Sequence, residues 1–463
     1  MNDFDQLNWA TELQQMKDYF VSGATRSYNF RRQQLLTLKK TVLQNEVALH
    51  EALYEDLKKS PEEAWVSETG FLIAEINHAI KHLDSWMKKE KIKTNLLNFP
   101  SKSFVYKEPL GLVLIVGPWN YPLHLLLVPL VGAIAAGNCA VLKPSEFAPA
   151  TSAVVKQIID QNFGTEYIRV VEGNGSEIIP AMMNSYRFDH VFFTGGLETG
   201  RKIYKMAAEK LVPVTLELGG KSPCVVERDA NIKVAAKRIA VTKFSNAGQM
   251  CVAPDYVLVH QSVKNELIEA LTATIKTFFG EDASASYNYG KIINERQFNR
   301  LLKYLQQGTI LFGGKYDAAT HHLQPTLIED APFDAAVMGE EIFGPVLPIL
   351  SFSTFEEAKN IINRNPDPLA FYVFTESKEL EKKWIDEVRF GGGCVNNASW
   401  HLTNYNLPFG GRGNSGIGHY HGKYSFDLFS HQKSVMKTPT WFDPAIKYPP
   451  FKGKLKLFKR IIR

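Results

Sequence analysis

Cysteine is scarce in this chain. Cys139, Cys224, Cys251 and Cys394 are the four in 463 residues. No two form a C-x-x-C pair, and none has a histidine at ligand spacing beside it, so the sequence offers no metal site. A basic-then-apolar leader is absent too: the chain opens MNDFDQLNWATELQQ, polar and acidic. The expectation is a cytoplasmic protein in a reducing compartment, where disulfides are rare.

Surplus charge is also lacking. The formal charge is +5, but the last 13 residues, FKGKLKLFKRIIR, hold six basic groups and no acid. Removing those six from the total leaves the rest of the chain at −1. A near-neutral body argues against a nucleic-acid-binding face spread over it. No apolar run is both long and unbroken. Gly111–Leu142 lacks charge over 32 positions, yet Gly117-Pro118, Tyr121-Pro122, Pro129, Asn120 and Asn138 interrupt it. A spanning helix needs about 20 predominantly apolar residues in one run. The stretch reads instead as a strand, a turn, a buried helix and a second strand.

Apolar residues make up 45% and charged residues 22%, which fits a globular protein. At 463 residues, two or three domains are expected. The first ~90 residues show helical spacing, as in Leu13, Met16, Tyr19 and Phe20, then Leu35, Leu36, Leu38, Val42 and Leu43. Short apolar runs then alternate with helical segments. Strands are predicted at Val113–Val116, Ala140–Leu142, Ile168–Val171, His190–Phe193 and Val214–Leu216. A second alternation from near Gly219 gives Val257–Val259, Val346–Leu350 and Phe371–Phe374. This pattern predicts an α/β fold with parallel sheets covered on both faces. Lys91–Lys107, polar and turn-containing, predicts a hairpin arm.

Open parallel sheets bind ligands beyond the carboxyl ends of their strands. That rule selects four loops: Gly117–Pro122 (GPWNYP), Lys143–Glu146 (KPSE), Thr194–Gly196 (TGG) and Glu217–Gly220 (ELGG). Asn120 is a turn asparagine or an amide donor to an oxyanion. Lys143 and Glu146 are a helix-entry charge pair or a donor and acceptor for ribose hydroxyls. Gly195 and Gly196 are a plain turn or a close approach for a pyrophosphate at a helix N-terminus. Glu217 is a solvated strand end or a general base tuned by burial. Cys251, in FSNAGQMCVAPD, is a buried filler or a nucleophile that needs a base near it.

In chain order, PWNYP, LKPSE, FTGG, LELGGKSP, NAGQMC, EEIFGPV and LPFGGRGNSGIG resemble the aldehyde dehydrogenase superfamily over nearly the whole chain. Glu217 and Cys251 are 34 residues apart, as base and nucleophile are in that family. YHGKYSFDLFSH, Tyr420–His431, is similar to the segment after SGxG in class 3 enzymes, the fatty and aromatic aldehyde group. The resemblance implies a Rossmann-type cofactor domain over 1–217, with the arm at about 91–107. It implies a catalytic domain over 218–396 and a return, oligomerisation segment and tail over 397–463. It implies Cys251 as nucleophile, Glu217 as base for thiol and water, and Asn120 with the Cys251 N–H as oxyanion donors. Lys143 and Glu146 then meet the adenosine ribose, Gly195 and Gly196 the phosphates, Glu341 the nicotinamide ribose, with Phe343 beside the ring. NAD is the expected cofactor, with NADP open, and a homodimer the expected assembly. Trp119, Tyr121, Trp400 and His401 are candidates for the substrate wall.

The expected reaction is oxidation of an aldehyde to its acid through a thioester. A coenzyme A-acylating enzyme and a non-catalytic binding protein on the same scaffold are the alternatives. The basic tail is too short and too charged to span a membrane. Phe451–Arg463 is either solvated or docked on a subunit, or it makes peripheral contact with anionic lipid.

Overall fold

The computed structural model describes residues 9–462. Helices come first, as the periodicity predicts: Trp9–Val21, Tyr28–Gln44, Glu46–Leu57 and Pro61–Ala64. The last runs through a π-helical turn, Trp65–Thr69, into Gly70–Met87. Leu13, Met16, Leu35, Leu38 and Val42 are buried, whereas Leu43, counted in the same spacing, faces outward. The break before Pro61 has clear local causes. Lys58 adopts left-handed backbone (φ 56°) and ends one helix. The Ser60 hydroxyl then accepts the Glu63 N–H, and Pro61 takes a first-turn position where a missing N–H costs nothing. Lys59 is therefore held in a short, fixed link.

Gly111–Leu142 folds as its pattern predicts. Strand Leu112–Val116, helix His124–Ala136 and strand Cys139–Lys143 are buried along their whole length. Strands buried on both faces read as continuous apolar runs rather than alternating ones. They belong to a six-stranded sheet ordered Gly416–Ile417, Val214–Glu217, His190–Thr194, Leu112–Val116, Cys139–Lys143, Ile168–Val170. All pairs are parallel except the edge strand Gly416–Ile417. Leu112–Val116 comes first in the chain but lies inside the sheet. The chain builds outward on one side of it, then returns to place His190–Thr194 on the other. Strand order reverses between these two, and the crevice beyond their ends is where such sheets take a ligand.

A second, seven-stranded sheet is ordered Thr309–Phe312, Thr326–Glu329, Val346–Phe352, Tyr256–His260, Pro223–Val226, Ala370–Phe374, Gly392–Val395. It is parallel apart from Thr309–Phe312. Its strands at Thr309–Phe312, Thr326–Glu329, Pro223–Val226 and Gly392–Val395 escaped the sequence reading, and in the last two the local sequence argues against a strand. A leading proline and paired glycines lower strand propensity, and only sheet pairing outweighs that. A third sheet is antiparallel: Glu90–Ile92, Lys102–Pro109 and Ser430–Lys437. The last of these arrives from the far end of the chain and pairs from Ser430↔Pro109 to Lys437↔Lys102.

The tail forms helix Leu455–Ile461. Among the described residues no helix is long and apolar enough to cross a membrane. Arg463 of the basic stretch lies outside the described residues.

Candidate active site

Helix Ile232–Phe244 delivers the chain into the loop that carries Cys251. Asn246, Ala247 and Gly248 all have positive φ, at 50°, 49° and 74°. For alanine this is costly backbone, and such strain persists only where surroundings impose it. At Gly248 the cause is visible: a Cβ there would lie 2.3 Å from the Gly344 carbonyl oxygen. The cysteine loop thus rests directly on the backbone of EEIFGPV. Gln249 is buried and acts as a latch. Its Nε2 donates to the Asn246 and Lys291 carbonyls, both at 3.0 Å, and its Oε1 accepts the Ile293 N–H at 3.0 Å. Beyond it, the Ala253 N–H closes a turn onto the Met250 carbonyl at 3.0 Å. The Tyr372 hydroxyl donates to the Val252 carbonyl at 2.6 Å. Cys251 sits in that turn, held from several sides.

Two cavities meet at this cysteine. The larger, about 520 Å³, has a mainly apolar wall that includes Trp65, Phe71, Met250, Trp400, Phe409 and Tyr420. The smaller, about 310 Å³, lies at the strand-order reversal and is lined by Asn120, Gly195, Gly196, Glu341 and Phe343, among others. Cys251, Glu217, Thr194, Leu218 and Leu125 line both. Seven of the nine residues singled out by the sequence therefore come together here. Lys143 and Glu146 do not line either cavity. They sit at the end of Cys139–Lys143, where Lys143 Nζ lies 3.3 Å from Glu146 Oε2 and the Gly175 N–H donates to Glu146 Oε1 at 3.0 Å. Trp119 lines the smaller cavity, and Tyr121 and Trp400 the larger. His401 lines neither: it stacks on Phe409 and places Nδ1 3.6 Å from Cys394 Sγ.

The electrostatics of the site are set by burial. Glu217 is buried, and neither carboxyl oxygen has a hydrogen-bond partner. Burial alone pushes this carboxyl well above the ordinary range. Burial also pushes the Cys251 thiol up, and the carboxyls of Glu341 and Glu217 add to the effect. The backbone N–H groups of Cys251 and Val252 oppose it by favouring the thiolate. Glu341 is raised to about 8, first by burial and then by Asp255. It packs so closely on Gly219 that a Cβ there would meet its carboxyl oxygen, and the Gly220 N–H donates to it. Asn120 Nδ2 donates to the Gln249 carbonyl at 3.0 Å. A side-chain amide has two N–H groups, so one remains for a ligand.

The sequence reading passed over Lys59, Glu68 and Gln249, all buried and all bonded to this loop system. It also passed over His124 and His421, neutral imidazoles in the larger cavity wall. Burial holds both at about 3. A charge inside a helical stretch usually marks a solvated face, so nothing in the local pattern separates Lys59 or Glu68 from it.

The aldehyde dehydrogenase family model matches residues 8–435. The 4,4'-diaponeurosporen-aldehyde dehydrogenase of Staphylococcus aureus is 46% identical over 449 residues, covering 96% of this chain and 97% of the relative. Human aldehyde dehydrogenase family 3 member B1 is 42% identical over 440 residues, covering 95% and 94%. The solved substrate-bound state of Staphylococcus aureus AldH superimposes with a TM-score of 0.95 at 44% identity, covering 98% of this chain and 99% of that one. The chain belongs to the aldehyde dehydrogenase family, with class 3-like relatives, and it is an aldehyde dehydrogenase.

Proposed function

We propose that the protein oxidises a long or bulky apolar aldehyde to its carboxylic acid through a covalent adduct on Cys251. One observation carries this: Cys251 and Glu217 stand at the junction of an apolar cavity and the crevice at the sheet's switch point. The aldehyde chain occupies the larger cavity and presents its carbonyl to the thiol. Cys251 adds to the carbonyl carbon. The free N–H of Asn120 and the Cys251 amide stabilise the oxyanion, which is strongest in a water-excluded site. Glu217 takes the thiol proton, and later activates the water that hydrolyses the thioester.

The smaller cavity fits a nicotinamide dinucleotide. A Cβ at Gly196 would meet nothing within 4 Å, and Gly196 leaves the start of helix Leu197–Glu209 without a side-chain cap. Helix amides of this kind receive phosphate. Glu341 carries an unpartnered oxygen suited to a ribose hydroxyl. When bound, the nicotinamide supplies the oxidant for the aldehyde C–H bond. Glu146 is pinned by Lys143 and the Gly175 amide. Its carboxylate opposes a 2′-phosphate by like charge, so NAD is preferred to NADP.

The test is an aldehyde series assayed with each cofactor. Each added methylene buried in the larger cavity contributes about 0.8 kcal/mol, roughly fourfold in kcat/KM, until the cavity fills. A series flat from propanal to decanal overturns the apolar-substrate reading. Better turnover with NADP overturns the reading of Glu146. Faster turnover on adding coenzyme A transfers the protein to the acylating class.

The tail supports a second, separate reading: peripheral contact with anionic lipid. Around helix Leu455–Ile461 the side chains of Phe451, Leu455 and Leu457 are exposed, interleaved with Lys452, Lys454, Lys456, Lys459 and Arg460. Exposed apolar groups beside cations suit a negatively charged bilayer surface. Deleting Phe451–Arg463 is expected to release the protein from phosphatidylglycerol vesicles in a flotation assay. Equal flotation of both forms removes the tail from that role.

A further inference from the structure

We propose that the buried Lys59–Glu68 ion pair is a positioning device that sets the oxyanion donor Asn120. The inference rests on the reading of Asn120 given above. Both side chains are fully buried, with Lys59 Nζ 2.6 Å from Glu68 Oε1. Replacing a buried ion pair with apolar groups of similar size is often neutral or stabilising, so stability alone does not account for it. Its other contacts all lead to one place. Lys59 Nζ donates to the Asn120 carbonyl at 3.0 Å and lies 3.9 Å from the centre of the Tyr121 ring. Glu68 Oε2 accepts the N–H groups of Leu123 and His124 at 3.2 and 2.9 Å. The pair thus grips the backbone at Asn120 and again three and four residues beyond it.

A second donor meets the same carbonyl. Asn246 Nδ2 lies 2.9 Å from the Asn120 oxygen and 3.1 Å from the Gln249 oxygen. Asn120 Nδ2 donates to that same Gln249 oxygen at 3.0 Å. The Asn120 backbone, the Asn246 amide, the Gln249 carbonyl and the Asn120 amide therefore close a ring. Lys59 fixes this ring from outside. Glu63 Oε1 also accepts the Asn246 N–H at 2.7 Å, so the same helical segment holds the cysteine loop. With the ring closed, one N–H of Asn120 is committed and the other is left in a defined direction.

Local structure points the same way. Lys59 occupies the fixed link between the left-handed Lys58 and the capping Ser60. Glu68 lies in a π-helical turn, an arrangement that recurs at functional sites. Trp65, Val66 and Ser67 of that turn line the larger cavity. One segment therefore shapes the substrate wall and sets the oxyanion donor.

A double-mutant cycle tests this. Lys59→Met/Glu68→Gln removes both charges together and avoids stranding one. It is made in the native background and in Asn120→Ala, with thermal unfolding checked and single-turnover NADH formation measured. A misplaced donor loses part of the roughly 10²–10³-fold that one oxyanion donor supplies. The expected result is a loss of about tenfold or more in kcat in the native background, with little change in KM, and less than twofold in Asn120→Ala. An equal loss in both backgrounds, or none in either, overturns the positioning role. Asn120→Ala turning over like the native protein overturns the reading of Asn120 instead. Should the neutral pair not fold, Glu68→Asp, which keeps the charge but shortens the reach to the Leu123 and His124 amides, is read through the same cycle.

Discussion

Cys251→Ala is expected to abolish aldehyde oxidation, with kcat falling by at least about 10⁴-fold, because the covalent route then has no nucleophile. The other thiols cannot substitute. Cys139 and Cys224 are buried in sheet strands, and Cys394 lies within another strand beside His401. Cys394→Ala serves as the control and keeps turnover. The cysteine variant should still bind NAD, seen as quenching of protein fluorescence, and should unfold at a similar temperature. Its loop is held by Gln249 and Tyr372 rather than by the thiol. A pH profile sharpens the result. Burial raises the Cys251 thiol, and only the thiolate attacks. A raised value means a small thiolate fraction at neutral pH that grows with alkalinity. Native alkylation by iodoacetamide, and kcat/KM, are therefore expected to climb between about pH 7 and pH 9. Retained NADH formation in Cys251→Ala would remove the cysteine from the chemistry. A profile already flat at neutral pH would show that the thiol is ionised there despite its burial.

Much of this site's layout is legible in the sequence, and the reason is physical. Strand-end loops in parallel sheets leave on one side, so GPWNYP, TGG and ELGG meet there, whereas Lys143 and Glu146 of KPSE, selected by the same rule, line neither cavity. Gly111–Leu142 was legible because prolines and asparagines broke an otherwise uniform apolar run. What stayed hidden depends on contacts distant in sequence. Lys59 lies 61 residues from the carbonyl that it holds, and Glu63 lies 183 from the amide that it accepts. The strand Ser430–Lys437 exists because Lys102–Pro109 offers it a partner across the chain. The motif EEIFGPV singles out Glu341 as a candidate, but not as a carboxyl pressed on Gly219, because that depends on two loops meeting.

Glu217→Gln is expected to separate the two halves of the reaction. The amide keeps the shape of the carboxyl but cannot take a proton. Glu217 makes no hydrogen bond in its buried position, so the substitution breaks no structural contact. Burial raises the native carboxyl well above the usual range, so its capacity to accept a proton grows as the pH rises or as water enters the cavity. General-base assistance is worth about 10²–10⁴-fold, and the water step needs it most, because water is the poorer nucleophile. With NAD and a long-chain aldehyde, the variant should release up to one equivalent of NADH quickly and then nearly stop. Intact mass spectrometry at that point should show the acyl group on the protein, and Cys251→Ala in the same background should erase it. Steady turnover at the native rate, with no burst and no added mass, would assign the water step to a group other than Glu217. A burst with rapid release on adding coenzyme A would show that the thioester forms as proposed but is passed to a thiol rather than to water.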